Sequence, residues 1–230
     1  MLARPRLSSL IGLVLRHVGI EATVTASPAR ARLLLRQREP ALLVADIGRG
    51  PFAARLLESA RSGRATLALV DLDRGKSSLT ALGGGADDVM RVPFTPDELA
   101  VRTAQVLQRV GVPTSMVRNV EVGGLELSLD EYAHVGSRTI RLSAGDNSLL
   151  YLLVANAGRR VARADIRDLS WGVEHAAPVE AVDAAVARLE RTLGAVDVLR
   201  IERVDDAVVA RLPALRMRSL HDARRRPAKN

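Results

Sequence analysis

Three short apolar runs, Ala41–Ile47, Thr66–Val70 and Val89–Val92, constrain the first half of the chain most. Each is nearly continuous, where a strand with one wet face would alternate. Such runs mark strands buried on both faces. Asp46 interrupts the first, as a polar residue closing a buried strand does. Helix-spaced segments lie around the runs. Ser8–Val18 carries Leu10, Ile11, Leu13, Val14, Leu15 and Val18 as an amphipathic helix, and Gly19 ends it. Pro28–Arg38 predicts a helix with Leu33, Leu34 and Leu35 inward. Pro51–Ser62 and Ser77–Leu82 predict two more, the second stopping at Gly83-Gly84-Gly85. Pro96–Val110 is the strongest: Thr95 is placed to cap it, Pro96 takes its first position, and Glu98 follows three residues after the cap. Glu21–Thr25 reads as a further short strand. Strands alternating with helices across short loops predict a parallel sheet covered on both faces.

The pattern changes after Pro113–Asn119, a linker. Val120–Leu129, Ala133–Val135 and Thr139–Leu142 read as short strands between glycine and charged turns. Ser143 opens a helix burying Leu149, Leu150, Leu152 and Leu153. A short helix covers about Arg163–Leu169. A third, Val179–Leu193, places Val182, Val186, Leu189 and Leu193 on one face, and Gly194 stops it. Val198–Ile201 and Val208–Leu212 form a hairpin around Asp205-Asp206. Strands, three helices and a hairpin describe a winged helix-turn-helix.

Composition narrows the function. Cysteine is absent, which excludes disulfides and thiolate metal sites and fits a reducing cytoplasm. The four histidines are scattered, so no metal site is expected. Aromatic residues make up 2%, too few to bind single strands by base stacking. No run is long enough to span a membrane. Leu10–Leu15, the one signal-like core, is closed at once by Arg16 and His17. The net charge of +8 suits an anionic partner, but its distribution matters more. Residues 1–110 are +6, residues 111–212 are −3, and residues 213–230 are +5.

The run Gly85-Ala-Asp-Asp-Val-Met-Arg-Val-Pro-Phe-Thr-Pro-Asp-Glu-Leu99 resembles the last strand and last helix opening of a response-regulator receiver domain. Leu142-Ser143-Ala-Gly-Asp146, Gly158-Arg-Arg-Val-Ala-Arg163, Ser170-Trp171-Gly172, Val182-Asp183 and Arg188-Leu189 resemble the DNA-binding half of the OmpR/PhoB type. In this order and spacing, the two halves together resemble that two-component family over roughly residues 5–212.

The resemblance implies an α/β receiver-like fold, a flavodoxin-like parallel sheet with its first strand truncated or missing, followed by an α+β winged helix-turn-helix. It divides the chain into a degenerate receiver-like domain at 1–112, a linker at 113–119, a winged-helix DNA-binding domain at 120–212 and a basic disordered tail at 213–230. Asp46 matches the phospho-acceptor. The family's acidic magnesium-holding pair is replaced by Leu2-Ala3-Arg4, its hydroxyl residue by Val70, and its lysine by Val92. A carboxylate attacks a phosphoryl group only when a cation neutralises the phosphoryl oxygens. Asp46 is therefore expected to be inactive, and no cofactor is expected.

Double-stranded DNA is the expected partner, through Arg163, Arg188, Arg191, Arg200 and Arg203. Glu180 and Glu190 stand where the family usually has arginine, Ala185 where it often has histidine, and Arg203-Val204-Asp205 replaces the wing's Gly-x-Gly. These departures support the alternative, a pseudo-regulator acting as a protein-interaction module. The resemblance also implies a homodimer through the helix at 74–84, the strand at 89–92 and the helix at 96–110, with Asp88 and Arg102 placed for a contact. The loop Gly172–Pro178, anchored by a core Trp171, is where family members touch RNA polymerase. No catalytic residue is expected: Gly83–Gly85 lacks the Lys-Ser/Thr of a phosphate loop, and no nucleophile–base pair is evident.

Overall fold

The parallel sheet forms from the three apolar runs. β1 (Leu42–Asp46), β2 (Ala65–Asp71) and β3 (Asp88–Val92) pair in that order, all parallel. This computed structural model describes residues 4–47, 56, 64–71, 81, 83–170, 178–194 and 198–212. The helix expected at 51–62 apart from Leu56, most of that at 77–82, Trp171 and the tail at 213–230 lie outside the described residues.

Alternation along each strand sends side chains to two faces. Leu43, Ala45 and Ala68 face α2 (Pro28–Arg38), meeting Ala31 and Leu35. Val44, Leu67 and Leu69 join the larger core with α1 (Pro5–Leu15) and α3 (Pro96–Arg109). Both faces of β1 and β2 are covered, as their continuous runs require, while β3 leaves Arg91 exposed.

Three local expectations change. Glu21–Thr25 is not a strand: residues 21–24 are exposed, and β1 pairs only with β2 among the described residues. No described strand stands between the two to give the segment a partner. In α2 only Ala31 and Leu35 are buried, and Leu33 is 51% exposed. Ala31 and Leu35 are one helical repeat apart, whereas Leu33 lies on the opposite side. Thr95 holds the N-cap backbone shape of α3 without a side-chain cap, and the Glu98 carboxylate pairs with Arg102 (3.0 Å) rather than closing a capping box.

α1 departs from an ordinary amphipathic helix. Leu7, Ser8, Leu10, Ile11, Leu13, Val14 and Leu15 are all buried. A helix apolar on most sides must be covered on most sides. One side meets α3; the other meets α4 (Ala144–Ala155) of the second half.

The second half begins with an antiparallel sheet of β4 (Asn119–Val122), β5 (Leu125–Ser128), β6 (Tyr132–Val135) and β7 (Arg138–Arg141). β4 therefore includes Asn119, the last residue of the expected linker. α4 follows; Ser143 caps it by accepting the Asp146 N–H (3.2 Å). β8 (Val161–Ala162), α5 (Arg163–Ser170) and α6 (Glu180–Leu193) lead to the hairpin of β9 (Arg200–Val204) and β10 (Ala207–Arg211). β10 pairs with both β8 and β9. Asp205 turns the hairpin with a φ of 52°, a left-handed shape that Asp tolerates better than most residues. Val182, Val186, Leu189 and Leu193 form the buried stripe of α6 as predicted.

Candidate functional site

The sheet delivers Asp46, Val70, Asp71 and Val92 to its carboxyl edge, where open parallel sheets bind ligands. Val70 and Val92 are buried and offer neither hydroxyl nor charge. Asp46 is 1% exposed. Its carboxylate meets Arg4, with Arg4 Nε 3.1 Å from Asp46 Oδ2. Arg4 Nη2 reaches Asp71 Oδ1 at 2.9 Å. One guanidinium thus bridges the ends of β1 and β2. The position follows from local sequence: Arg4 is the N-cap of α1 and Pro5 opens the helix. A buried carboxylate is tolerable only when paired and hydrogen-bonded. Arg4 supplies that cation.

Arg4 and Asp71 were missed as site residues by sequence reasoning. Their signal was present: an arginine directly before the Pro5 that opens the first helix, and an acid ending the second buried strand. Among the described residues, no group of three or more acidic, histidine or cysteine side chains could hold a metal.

The winged-helix surface is more self-satisfied than expected. Arg188 Nη2 lies 2.8 Å from Oδ1 of Asp146, a buried residue of α4. Hydrogen bonding to Asp146 raises the pKa of Arg188 above its ordinary value. Arg163 Nε meets Asp183 Oδ1 at 2.9 Å and also donates to the Asp205 carbonyl. Arg203 pairs with Glu190, Nη2 to Oε2 at 2.8 Å, which raises its pKa. Arg200 sits 3.5 Å from Glu202 and is highly exposed. Arg191 is exposed on α6 and has no ion-pair partner among the described residues. Glu180 is exposed at the start of the same helix. At the wing tip, Arg160 bridges Asp205 (3.0 Å) and Asp206 (3.5 Å). The five expected DNA-contacting arginines therefore share one half, but four are paired with carboxylates of their own chain.

Asp88 and Arg102 also meet within the chain, at 3.1 Å, with Glu98 completing the cluster. The loop expected to meet RNA polymerase lies outside the described residues except for Pro178.

A further polar cluster joins the halves. His17 and Tyr151 are both fully buried. His17 Nδ1 lies 2.9 Å from the Val117 carbonyl, which can only accept. Nδ1 is therefore the protonated nitrogen, and Nε2 accepts from the Tyr151 hydroxyl at 2.8 Å. The Val117 N–H returns to the His17 carbonyl (2.8 Å). Burial lowers the His17 pKa, so the ring is held neutral.

No family model matches the chain. It is 31% identical over 198 residues to Protein PetR of Rhodobacter capsulatus, covering 82% of this chain and 84% of PetR. It is 28% identical over 195 residues to the phosphate regulon transcriptional regulatory protein PhoB of Rhizobium meliloti, covering 81% and 85%. Among solved structures, the response regulator DrrB of Thermotoga maritima, an OmpR/PhoB homologue, aligns over 87% of this chain and 92% of its own. That match has 18% identity and a TM-score of 0.36. A parallel α/β half followed by a winged helix-turn-helix is the build of a transcriptional response regulator. The chain belongs to the OmpR/PhoB-type response regulators, a family of regulators rather than enzymes.

Proposed function

We propose that this chain is a cytoplasmic, DNA-binding transcriptional regulator that works without phosphorylation. The bridge from Arg4 to Asp46 and Asp71 carries the reading. Phosphoryl transfer to a carboxylate needs a mobile cation that can hold the incoming oxygens. Here a fixed guanidinium donates to the acceptor itself. Val70 and Val92 add no hydroxyl or ammonium at the same edge. Incubation with acetyl phosphate and magnesium, followed by intact-mass measurement, should show no stoichiometric added phosphate. A single phosphate that disappears in Asp46→Ala would overturn the reading.

The proposed division is a receiver-like unit to residue 112, a short connection, a DNA-binding unit to 212 and a basic tail. Without a phosphorylation switch, dimerisation through the β3–α3 face would be constitutive, so sedimentation of the untreated protein should already show dimer.

The alternative is an interaction module without specific DNA binding, favoured by the carboxylates engaging Arg163, Arg188 and Arg203. Fluorescence anisotropy on genomic fragments separates the two. We expect sequence-dependent binding that weakens with salt. Arg191→Ala, or removal of residues 213–230, should lower the logarithmic salt slope by about one unit for each phosphate no longer neutralised. Arg188→Ala should act mainly on stability, by uncovering the Asp146 charge. Salt-insensitive binding, or none, would establish the alternative.

A further inference from the structure

The eleven residues of α2 carry four arginines and no acid. Only Ala31 and Leu35 are buried, so the arginines stand in water. Arg30 and Arg36 lie three residues to either side of Leu33, whose 51% exposure marks the outward face of the helix. Neither arginine has a carboxylate partner among the described residues. The winged half is built the other way, with Arg163, Arg188 and Arg203 each held by an acid of the same chain.

Arg30 also works against the helix that carries it. Ser27, the N-cap, accepts the Arg30 N–H (3.4 Å). An acid three residues after such a cap closes a capping box and meets the positive end of the helix dipole. An arginine there repels that end. A charge set against local stability is expected where a partner supplies the counter-charge. Near the other end, Arg64 adds a further cation by donating to the Leu35 carbonyl (3.1 Å). The layer order fixes where the face looks. α2 covers one face of the sheet; α1 and α3 cover the other, with α4 of the second half packed on α1. The sheet and α1 therefore stand between the α2 arginines and the second half.

We propose that the outer face of α2 is a second nucleic-acid surface, which holds the phosphate backbone of another DNA duplex without reading its sequence. The inference rests on the winged half binding the first duplex; one chain then joins two. Arginine donates to phosphate oxygens in a fixed fork. A duplex presents a phosphate about every 1.7 Å of its axis, so two arginines about 9 Å apart along a helix find partners in any register.

The test uses the full chain, a random-sequence duplex carrying fluorescein and the same duplex fixed to beads. We expect the protein to carry the fluorescent duplex onto the beads. Arg30→Ala with Arg36→Ala should cut this capture by roughly tenfold or more, and lower the logarithmic salt slope of anisotropy on the free duplex by about 0.9 for each phosphate lost. Arg30→Lys with Arg36→Lys should keep most of the capture, since a phosphate needs mainly the charge. Sequence preference among genomic fragments should be the same in the wild type and the alanine variant. If neither shows any preference, the reading of the winged half fails, while the difference in salt slope still decides this one. Unchanged capture and slope in the alanine variant would overturn the proposal and assign the capture to the two winged halves of a dimer. So would displacement of the duplex by polyglutamate at equal charge, or a loss of capture in Leu33→Ala as large as in the arginine pair, either of which marks a face for an acidic protein.

Discussion

Arg4→Ala should destabilise the protein by about 3 kcal/mol, because it leaves the Asp46 charge buried with its bridging cation gone. Asp46 is 1% exposed and Arg4 17%, so water replaces little of what the guanidinium provides. For a chain of this size the loss corresponds to a fall in melting temperature of roughly 6–12 °C. Circular dichroism melts would read it. Arg4→Ala combined with Asp46→Asn should recover most of the loss, since the second change removes the stranded charge. Single and double variants melting with the wild type would mean that the bridge holds nothing together.

His17→Ala should cost about 2–4 kcal/mol. It opens a void in the shared core and strands the Tyr151 hydroxyl and the Val117 carbonyl. The same residue sets a pH dependence. Burial depresses the folded pKa of His17 below the ordinary value near 6.5. The unfolded chain therefore takes up the proton first as pH falls. Stability from the neutral ring is complete above about pH 6.5 and declines as pH drops from there toward the folded pKa. Urea unfolding at pH 7.5 and 5.5 should show a larger loss for the wild type than for His17→Phe. Equal losses in the two proteins would rule out His17 as the source.

The apolar runs revealed the sheet because β1 and β2 are wet on neither face. A pattern of that kind needs no knowledge of partners. The cap at Ser143, the stops at Gly19 and Gly194 and the inner stripe of α6 were readable for the same reason: each is decided within one turn of chain. What stayed hidden was set by contacts distant in sequence. Arg4 finds Asp46 across 42 residues, and Arg188 finds Asp146 across the same separation. Composition ranks an arginine on a recognition helix as a DNA contact; only the fold reveals a buried carboxylate beneath it. Glu21–Thr25 has strand composition, yet a strand requires a neighbouring edge. Leu33 has core composition, yet α2 turns it away from the sheet.

α1 begins directly after its N-cap Arg4, over the carboxyl edge of the parallel sheet, and runs through Leu15 into the turn that holds His17. Eleven helical residues make a rod of roughly 16 Å. Its two ends are pinned by buried polar groups, and its flanks are clamped by α3 and α4. Mechanically, that is a push-rod without slack. The Asp46 edge of the sheet and α4 are thereby joined through a single helix.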